Sequence, residues 1–397
     1  MSAVPPLDGL RVLDLSRVLA GPYCTMMLAD LGADVVKVER PGAGDETRGW
    51  GPPYTGGESA YYLSTNRGKR SMAIDLASEE GRRIALDLCA EAGVVIENFK
   101  TGGAAKLGLD YESVASRNPK VVYCSITGFG SEREPSGRPG YDFVAQAESG
   151  LMSITGAADG EPMKVGVAVV DVLTGLHAAV GILAAVSRGE GERIEVSLLD
   201  SALASLVNVV SSVLVSGEEP QRFGNAHPSI VPYETFHAAD GMLAIAAPND
   251  GLYRRLCEVL GAPELADDAR FVTNRDRVVN RETLVPLINE RLGTRAADDW
   301  LSELAEAGVP SGKIRSVPDA LAAAAAAGMP ASTRVPHPTA GEVELVNSPI
   351  QLAGGLRPAV APPLLGQHTA EVLRELGLDD AEIRRLADAG VVALGTS

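Results

Sequence analysis

The chain is poor in aromatic residues, in cysteine and in positive charge. Phe, Trp and Tyr together make up 4% of its 397 residues, so the core must be aliphatic and rich in alanine. The four cysteines, Cys24, Cys89, Cys124 and Cys257, are far apart, with no Cys-x-x-Cys. Each sits in an apolar context and reads as a buried, reduced thiol. The five histidines, His177, His227, His237, His337 and His368, show no metal-ligand spacing, so no metal is implied, and His177, on an apolar helical stretch, reads as a satisfied core residue. Lys and Arg number 35 against 52 Asp and Glu, a net charge of −17. That balance argues against nucleic acid and anionic membranes as partners. No unbroken apolar run is long enough to span a bilayer, and the stretch Met1 to Pro6 has neither the charged nor the apolar region of a signal peptide. The expected location is the cytoplasm. The chain also has no G-x-x-x-x-G-K-[ST] phosphate loop and no G-x-S-x-G nucleophile elbow.

What is present is an alternation of short apolar runs and helical stretches. Leu10 to Leu15 reads as a strand, Gly21 to Gly32 as a helix with Pro22 in its first turn, and Asp34 to Glu39 as the next strand. This is a β-α-β unit with an acid at the end of its second strand, as in dinucleotide folds. The glycine fingerprint of those folds is missing: the connection reads Ser16-Arg-Val-Leu-Ala-Gly-Pro22. One glycine followed by proline cannot form that phosphate loop, so NAD is not expected. The alternation continues with a helix over 79–92, strands over 94–97, 120–126 and 165–170, a helix over 175–186, a strand over 192–196 and a long apolar helix over 197–215. The expected class is α/β: a Rossmann-like large domain with a mostly parallel sheet covered on both faces. A polar linker, Ser216 to Gly224, then leads into a smaller, more charged domain with helices at 251–260, 281–292 and 297–307. The organisation read is 1–215 for the first part of the large domain and 225–325 for the small α+β domain. The segment 334–397 returns to the large domain, and a second linker is read at 318–333.

One acid stands out. Val165-Gly-Val-Ala-Val-Val-Asp171 carries a carboxylate directly after an apolar, β-branched run, and an apolar stretch from Leu176 to Val186 follows. A carboxylate there costs free energy to desolvate unless it is paired or used. The nearest cation before it is Lys164, and only His177 separates it from Arg188. On local sequence alone a helix N-cap is the commoner use of such an Asp; the alternative is a nucleophile or base. Cations group in the first third: Arg40, Arg48, the run Asn66-Arg-Gly-Lys-Arg70, Lys100 and Lys106. Arg40 follows one expected strand, Asn98-Phe-Lys100 another and Asp171 a third, and open α/β sheets bind ligands at the carboxyl ends of strands. That set suits a phosphorylated, ring-bearing ligand. Arg67, Lys69 and Arg70 read equally well as solvated surface charge.

Taken in order, these segments resemble the class III CoA-transferases (CaiB/BaiF type), the family that includes formyl-CoA:oxalate CoA-transferase and alpha-methylacyl-CoA racemase. The carriers are Leu7 to Asp14, Ala20-Gly-Pro22, Leu31 to Arg40, Gly44-Asp-Glu-Thr-Arg48, Asn66 to Ser71, Val95 to Phe99, Lys106-Leu-Gly108, Gly140 to Gln146, Asp171 and Pro363 to Thr369. The resemblance implies that Asp171 is the nucleophile, forming a mixed anhydride and then an aspartyl-CoA thioester. By position it implies CoA contacts from Arg40, Ile74, Asp75, Leu76, Ala77, Asn98, Phe99, Lys100, Lys106, Pro139, Gly140, Tyr141 and Asp142. On the acid side it implies Arg17, Val18, Leu19, His227 and Tyr233. Leu19 stands where the formyl-CoA enzyme has Gln. The loop Gly224 to Tyr233 replaces that enzyme's glycine-rich lid and looks like the branch using succinyl-CoA and dicarboxylates. Arg17 is either a receptor for a distal carboxylate or a structural cation. The family implies no tightly bound cofactor, CoA thioesters and small carboxylic acids as substrates, and a ring-shaped chain in an interlocked homodimer. Two other readings stand beside this one. The first is a 2-methylacyl-CoA racemase, although Tyr141 occupies the position of that branch's His and a phenol is a poor base near neutral pH. The second is a non-catalytic acyl-CoA-binding protein.

Overall fold

The computed structural model describes residues 4–134 and 136–395. The chain forms two compact units. The first comprises residues up to Leu151, Val165–Gly217 and Pro330 onwards; the second comprises Met152–Lys164 and Glu218–Met329.

The first unit is built on a seven-stranded sheet. Its strands run, across the sheet, Val392–Ala393, Arg70–Ile74, Asp34–Glu39, Arg11–Asp14, Val94–Glu97, Val122–Thr127 and Glu192–Ser197. All neighbours are parallel except the short C-terminal strand, which closes one edge antiparallel to Arg70–Ile74. The central strands bury both faces, so successive residues supply two different cores. Leu13, Val36, Val95 and Tyr123 point to one side, where helix Glu79–Glu91 and the C-terminal helices Thr369–Glu375 and Asp380–Asp388 cover them. Val12, Val35, Ile96 and Cys124 point to the other, against helices Ala20–Asp30 and Val169–Arg188. All four cysteines are buried and free.

The second unit has a three-stranded antiparallel sheet, Ser311–Lys313 beside Gly241–Ala246 beside Tyr233–Ala238. Its core gathers Phe236, Leu243, Leu256, Phe271, Ile288 and Trp300. Arg277 lies within that core with no exposure. It is satisfied by the carbonyls of Val231 (2.7 Å) and Phe271 (3.0 Å) and by Asp250 (2.9 Å).

Four sequence expectations are corrected. Residues 165–168 are irregular rather than a strand, and the helix starts at Val169. A short β-branched run reads alike as a buried strand or a buried helix turn, and here the neighbouring sheet edge is already filled by Glu192–Ser197. That helix, of 20 residues and mean hydropathy 2.0, is long and apolar enough to cross a membrane by length and composition, but Val170, Ala178, Ile182 and Ala185 serve the core. The expected helix over 197–215 is two helices, Leu198–Ser205 and Val207–Ser216, bent by 76°. The large domain does not run unbroken to 215, because Met152–Lys164 joins the second unit. His177, read as a core residue, is exposed and pairs with Ser201 at 3.1 Å.

Candidate active site

Asp171 sits in the first turn of helix Val169–Arg188, 9% exposed. Its position follows from two close helix contacts. One turn on, a Cβ at Gly175 would lie 2.6 Å from the carbonyl oxygen of Ala20, so only glycine lets the helix approach Ala20–Asp30 this closely. A Cβ at Gly21 would in turn lie 2.1 Å from Ser16 Oγ. The start of the Asp171 helix is therefore pressed against the start of its neighbour.

Asp142 completes the arrangement. Its carboxylate accepts the backbone N–H of Val170 (2.7 Å), that of Asp171 (3.3 Å) and the side-chain amide of Gln146 (2.6 Å). It thus caps the helix that carries Asp171 from 29 residues away. Asp171 has no ion pair or hydrogen bond to its own carboxylate among the described residues. Burial, followed by the charge of Asp142, pushes its pKa up to about 7. The cap reading of Asp171 is replaced: Asp142 does the capping, and Asp171 is left chemically available.

Asp171 lines a cavity of about 440 Å³ together with Arg17, Val18, Leu19, Glu46, Asn98, Phe99, Lys100, Pro139, Gly140 and Tyr141. A second cavity of about 620 Å³ is lined by Arg40, Ile74, Asp75, Leu76, Ala77 and Leu107, and it shares Arg17, Glu46 and Phe99 with the first. The two are thus one cleft along the carboxyl ends of the strands, all of it from the first unit. The structure brings together Asp171, Arg17, Val18, Leu19, Arg40, residues 74–77, Asn98 to Lys100 and Pro139 to Tyr141. It does not place Asp142 or Lys106 in the lining. Asp142 is buried behind Asp171, and Lys106 lies on the short helix Gly103–Leu107. His227 and Tyr233 belong to the second unit, where their ring centroids lie 5.4 Å apart with the planes tilted by 59°, and Arg281 donates to the His227 carbonyl at 2.6 Å.

Beneath the cleft lies a buried ionic network. Lys37 pairs with Asp45 (2.9 Å) and Lys69 with Asp14 (3.1 Å), all four essentially inaccessible. Burial alone would raise the Asp14 pKa, but Lys69 and Lys37, with hydrogen bonds from Ser16 and Thr25, outweigh it and hold the group at about 2. Arg67 is likewise buried, on Asp30, so Arg67 and Lys69 are not solvated surface charge. Glu39, the acid at the end of the second expected strand, is consumed by Arg48 (2.8 Å) and Ser71 (2.6 Å). The network grips the cleft wall. Asn98 closes two hydrogen bonds on the backbone of Arg17, at 2.9 and 2.8 Å. Asp45 receives the N–H of Val18 at 3.3 Å. Val18 is held at φ +72°, a conformation that a β-branched residue rarely adopts. Arg40 and Lys100 have no ion pair among the described residues, in a chain whose other arginines are largely paired; that leaves both free for phosphate.

Sequence reasoning missed two residues. Glu46 lines both cavities and pairs with Arg17 at 2.8 Å. Tyr61 faces the same charges: burial first, then Asp171, Asp142 and Asp45, push its phenol up to about 12. Glu46 lay inside a segment that carried the family resemblance, whereas nothing in the sequence signalled Tyr61.

Comparison with known proteins decides the family. The profile of CoA-transferase family III matches residues 7–369. The chain belongs to CoA-transferase family III. It is 42% identical to the succinyl-CoA:glutarate CoA-transferase of Mus musculus, over 98% of this chain and 91% of the mouse protein. It is 46% identical to the succinate–glutarate CoA-transferase of Agrobacterium fabrum, over 94% of this chain and 96% of that protein. It is 43% identical to the succinyl-CoA:mesaconate CoA-transferase of Haloarcula hispanica, over 94% and 96%. Among solved structures, a CaiB/BaiF family protein from Brucella suis superposes with a TM-score of 0.83 at 44% identity, covering 94% of this chain and 99% of that one. Membership of this family makes the protein a transferase that uses CoA thioesters as substrates.

Proposed function

We propose that the protein moves CoA from succinyl-CoA, or a similar donor, to a dicarboxylic acid through covalent intermediates on Asp171. The observation that carries this reading is a buried, unpaired carboxylate at one end of a cleft whose other end presents unpaired Arg40. The names of the relatives support succinyl-CoA as donor and a dicarboxylate as acceptor.

In this mechanism Asp171 attacks the thioester carbonyl. The C–S bond breaks, the thiolate leaves with the electron pair and a mixed anhydride forms. The thiolate then attacks the Asp171 carbonyl carbon, giving aspartyl-CoA thioester and releasing succinate. The acceptor carboxylate attacks that thioester and expels the thiolate, which returns to the acceptor's carbonyl and frees Asp171. One thioester replaces another, so no external energy source enters. A pKa of about 7 leaves much of Asp171 ionised at neutral pH while keeping it more basic, and so more nucleophilic, than an ordinary carboxylate.

The same reading makes the protein an interlocked homodimer in the cytoplasm. Support comes from the exposed apolar side chains Val180, Val207, Leu214 and Val215 on helices of the first unit, and from four buried, reduced thiols. Light scattering tests the dimer. The chemistry is tested by incubating the protein with succinyl-CoA and hydroxylamine. A hydroxamate on Asp171, found by peptide mass spectrometry and absent in Asp171→Ala, supports the covalent route. Full turnover by Asp171→Ala removes it.

A further inference from the structure

Glu97 ends strand Val94–Glu97 and is only 7% exposed. Its carboxylate turns back on the chain and accepts the backbone N–H of Phe99 at 2.8 Å. Phe99 in turn lines the Asp171 cavity, the Arg40 cavity and a third cavity of about 350 Å³. We propose that Glu97 is a positioning residue for CoA: it fixes the turn that carries Phe99 and Lys100 and so keeps the Phe99 ring at the partition between the cavities. This rests on the reading that CoA lies along the cleft.

The third cavity is the reason a support is needed. It lies on the same rim, is walled by Glu97, Tyr123, Ser125 and Arg193, and shares Phe99 and Lys100 with the Asp171 cavity. A cavity of roughly 150 Å³ already accepts benzene, so the Phe99 ring has room to rotate out of the cleft. The turn around it is anchored at three successive residues. The Asn98 side chain is bonded to the Arg17 backbone, and the Lys100 carbonyl accepts Gly103 N–H at 2.6 Å. Between them, Glu97 holds the Phe99 N–H. A Cβ at Gly103 would lie 3.0 Å from the Phe99 Cβ, so the following helix start packs closely on the same residue.

Glu97 acts through its neighbours and not on the reacting atoms, because it lines neither the Asp171 cavity nor the Arg40 cavity. Burial pushes its carboxyl up; hydrogen bonds from Ser125 and the Phe99 N–H pull against that, Glu195 adds to the rise and Arg193 opposes it. Glu97 closes no ion pair among the described residues, so those two hydrogen bonds are what offset its desolvation. Either protonation state keeps an oxygen that can accept the Phe99 N–H. Lys100, which also has no ion pair among the described residues, takes its place in the cleft from the same turn.

The test titrates CoA calorimetrically into the full chain: wild type, Glu97→Gln, Glu97→Met, Phe99→Ala and the double variant Glu97→Met with Phe99→Ala. Gln keeps an acceptor oxygen. Met has the same reach without one and costs less to bury, and Glu97→Leu repeats the removal with a second apolar side chain. Melting curves establish that each variant is folded. The Kd for CoA should rise by about tenfold in Glu97→Met, the loss of one hydrogen bond to a charged group, and stay near the wild-type value in Glu97→Gln. The KM of succinyl-CoA should follow the Kd while kcat does not. The double variant should bind CoA about as Phe99→Ala does, because residues that act through one another are not additive. Wild-type affinity in folded Glu97→Met and Glu97→Leu, an equal loss in Gln and Met, or losses that multiply in the double variant overturn the proposal. Turnover separates the two levels of inference. If no acid receives CoA yet the affinities fall in the expected pattern, the transferase reading fails and the positioning role stands. If wild type turns over and Glu97→Met binds CoA unchanged, the positioning role fails alone.

Discussion

The carboxylate of Asp142 accepts the backbone N–H of Asp171, at 3.3 Å, while its charge opposes ionisation of the Asp171 side chain. One residue thus both fixes the helix that carries Asp171 and tunes the acidity of its side chain. Asp142→Asn keeps an acceptor oxygen for the helix but removes the charge. The acid limb of the transfer rate, set by ionisation of Asp171 near pH 7, should then move to lower pH. The kcat/KM for succinyl-CoA measured from pH 5 to 9 checks this, and an unmoved limb would separate Asp142 from the acidity of Asp171. Asp142→Ala should also lose the cap, at a cost of about 1 kcal/mol in stability.

The same raised pKa predicts a stability trend. A carboxyl whose pKa is higher in the folded than in the unfolded state binds more protons when folded, so its stabilisation is full at low pH and is lost as pH rises through the folded value. For Asp171 the window runs from 3.8 to about 7. Ionising this buried group costs up to about 4 kcal/mol at pH 8, an order-of-magnitude figure. Asp171→Asn should therefore be more stable than wild type at pH 8, and the gap should close toward pH 4. Denaturant melts at the two pH values measure it; a constant gap would contradict the assignment of the shift to Asp171.

How much of this was legible in the sequence depended on distance along the chain. Strands Asp34–Glu39 and Val94–Glu97 and helix Arg281–Leu292 were readable to the residue, because periodicity and caps are local signals. Arg40 and Asn98 to Lys100 could be placed at one sheet rim for the same reason, whereas residues 74–77 were pointed to only by the family resemblance. The cap on Asp171 comes from Asp142, the partner of Lys69 from Asp14, and the partner of Arg17 from Glu46. None of these pairings leaves a trace at sequence spacing, and so the buried cations read as surface charge. The run 165–170 misled because β-branched residues fit a helix start once another residue supplies the cap.

Arg40 should act on CoA without regard to the acyl group. It lies on the cavity wall remote from Asp171, with no carboxylate partner among the described residues. Arg40→Ala should raise the KM of every acyl-CoA by the same factor, a loss of about 1.5–3 kcal/mol for a charge-assisted phosphate contact. Succinyl-, glutaryl- and acetyl-CoA compared side by side test this; selective loss of one would make Arg40 part of the acyl pocket.

The glycine at position 175 is a geometric requirement. An added methyl would lie 2.6 Å from the Ala20 carbonyl oxygen and 3.2 Å from the Tyr23 ring, and neither helix end can give way cheaply. Gly175→Ala should destabilise the fold by about 1–3 kcal/mol, the usual cost of overpacking. Asp171 lies one turn from the contact, so transfer should fall even at temperatures where the variant is fully folded. Melting curves and kcat/KM on the same preparation check both parts. Wild-type rates in a folded variant would mean that the position of Asp171 tolerates helix displacement.

Proton exchange beside the thioester should be slow relative to CoA transfer. Racemisation of a 2-methylacyl-CoA needs a base on each face of the carbon, one to remove the proton and one to return it. Asp171, at about 7, could serve one face. The opposite face lacks a match. No histidine is present among the described residues lining the Asp171 cavity. Asp142 has its carboxylate committed to three N–H donors and is buried, and Glu46 is paired with Arg17. Tyr61 is pushed up to about 12, away from useful basicity. In deuterated water, 2-methylacyl-CoA should gain label at its second carbon far more slowly than CoA passes between acids, as read by mass spectrometry of both. Rapid labelling with no CoA exchange would require a second base and would place the chemistry in the racemase branch of the family.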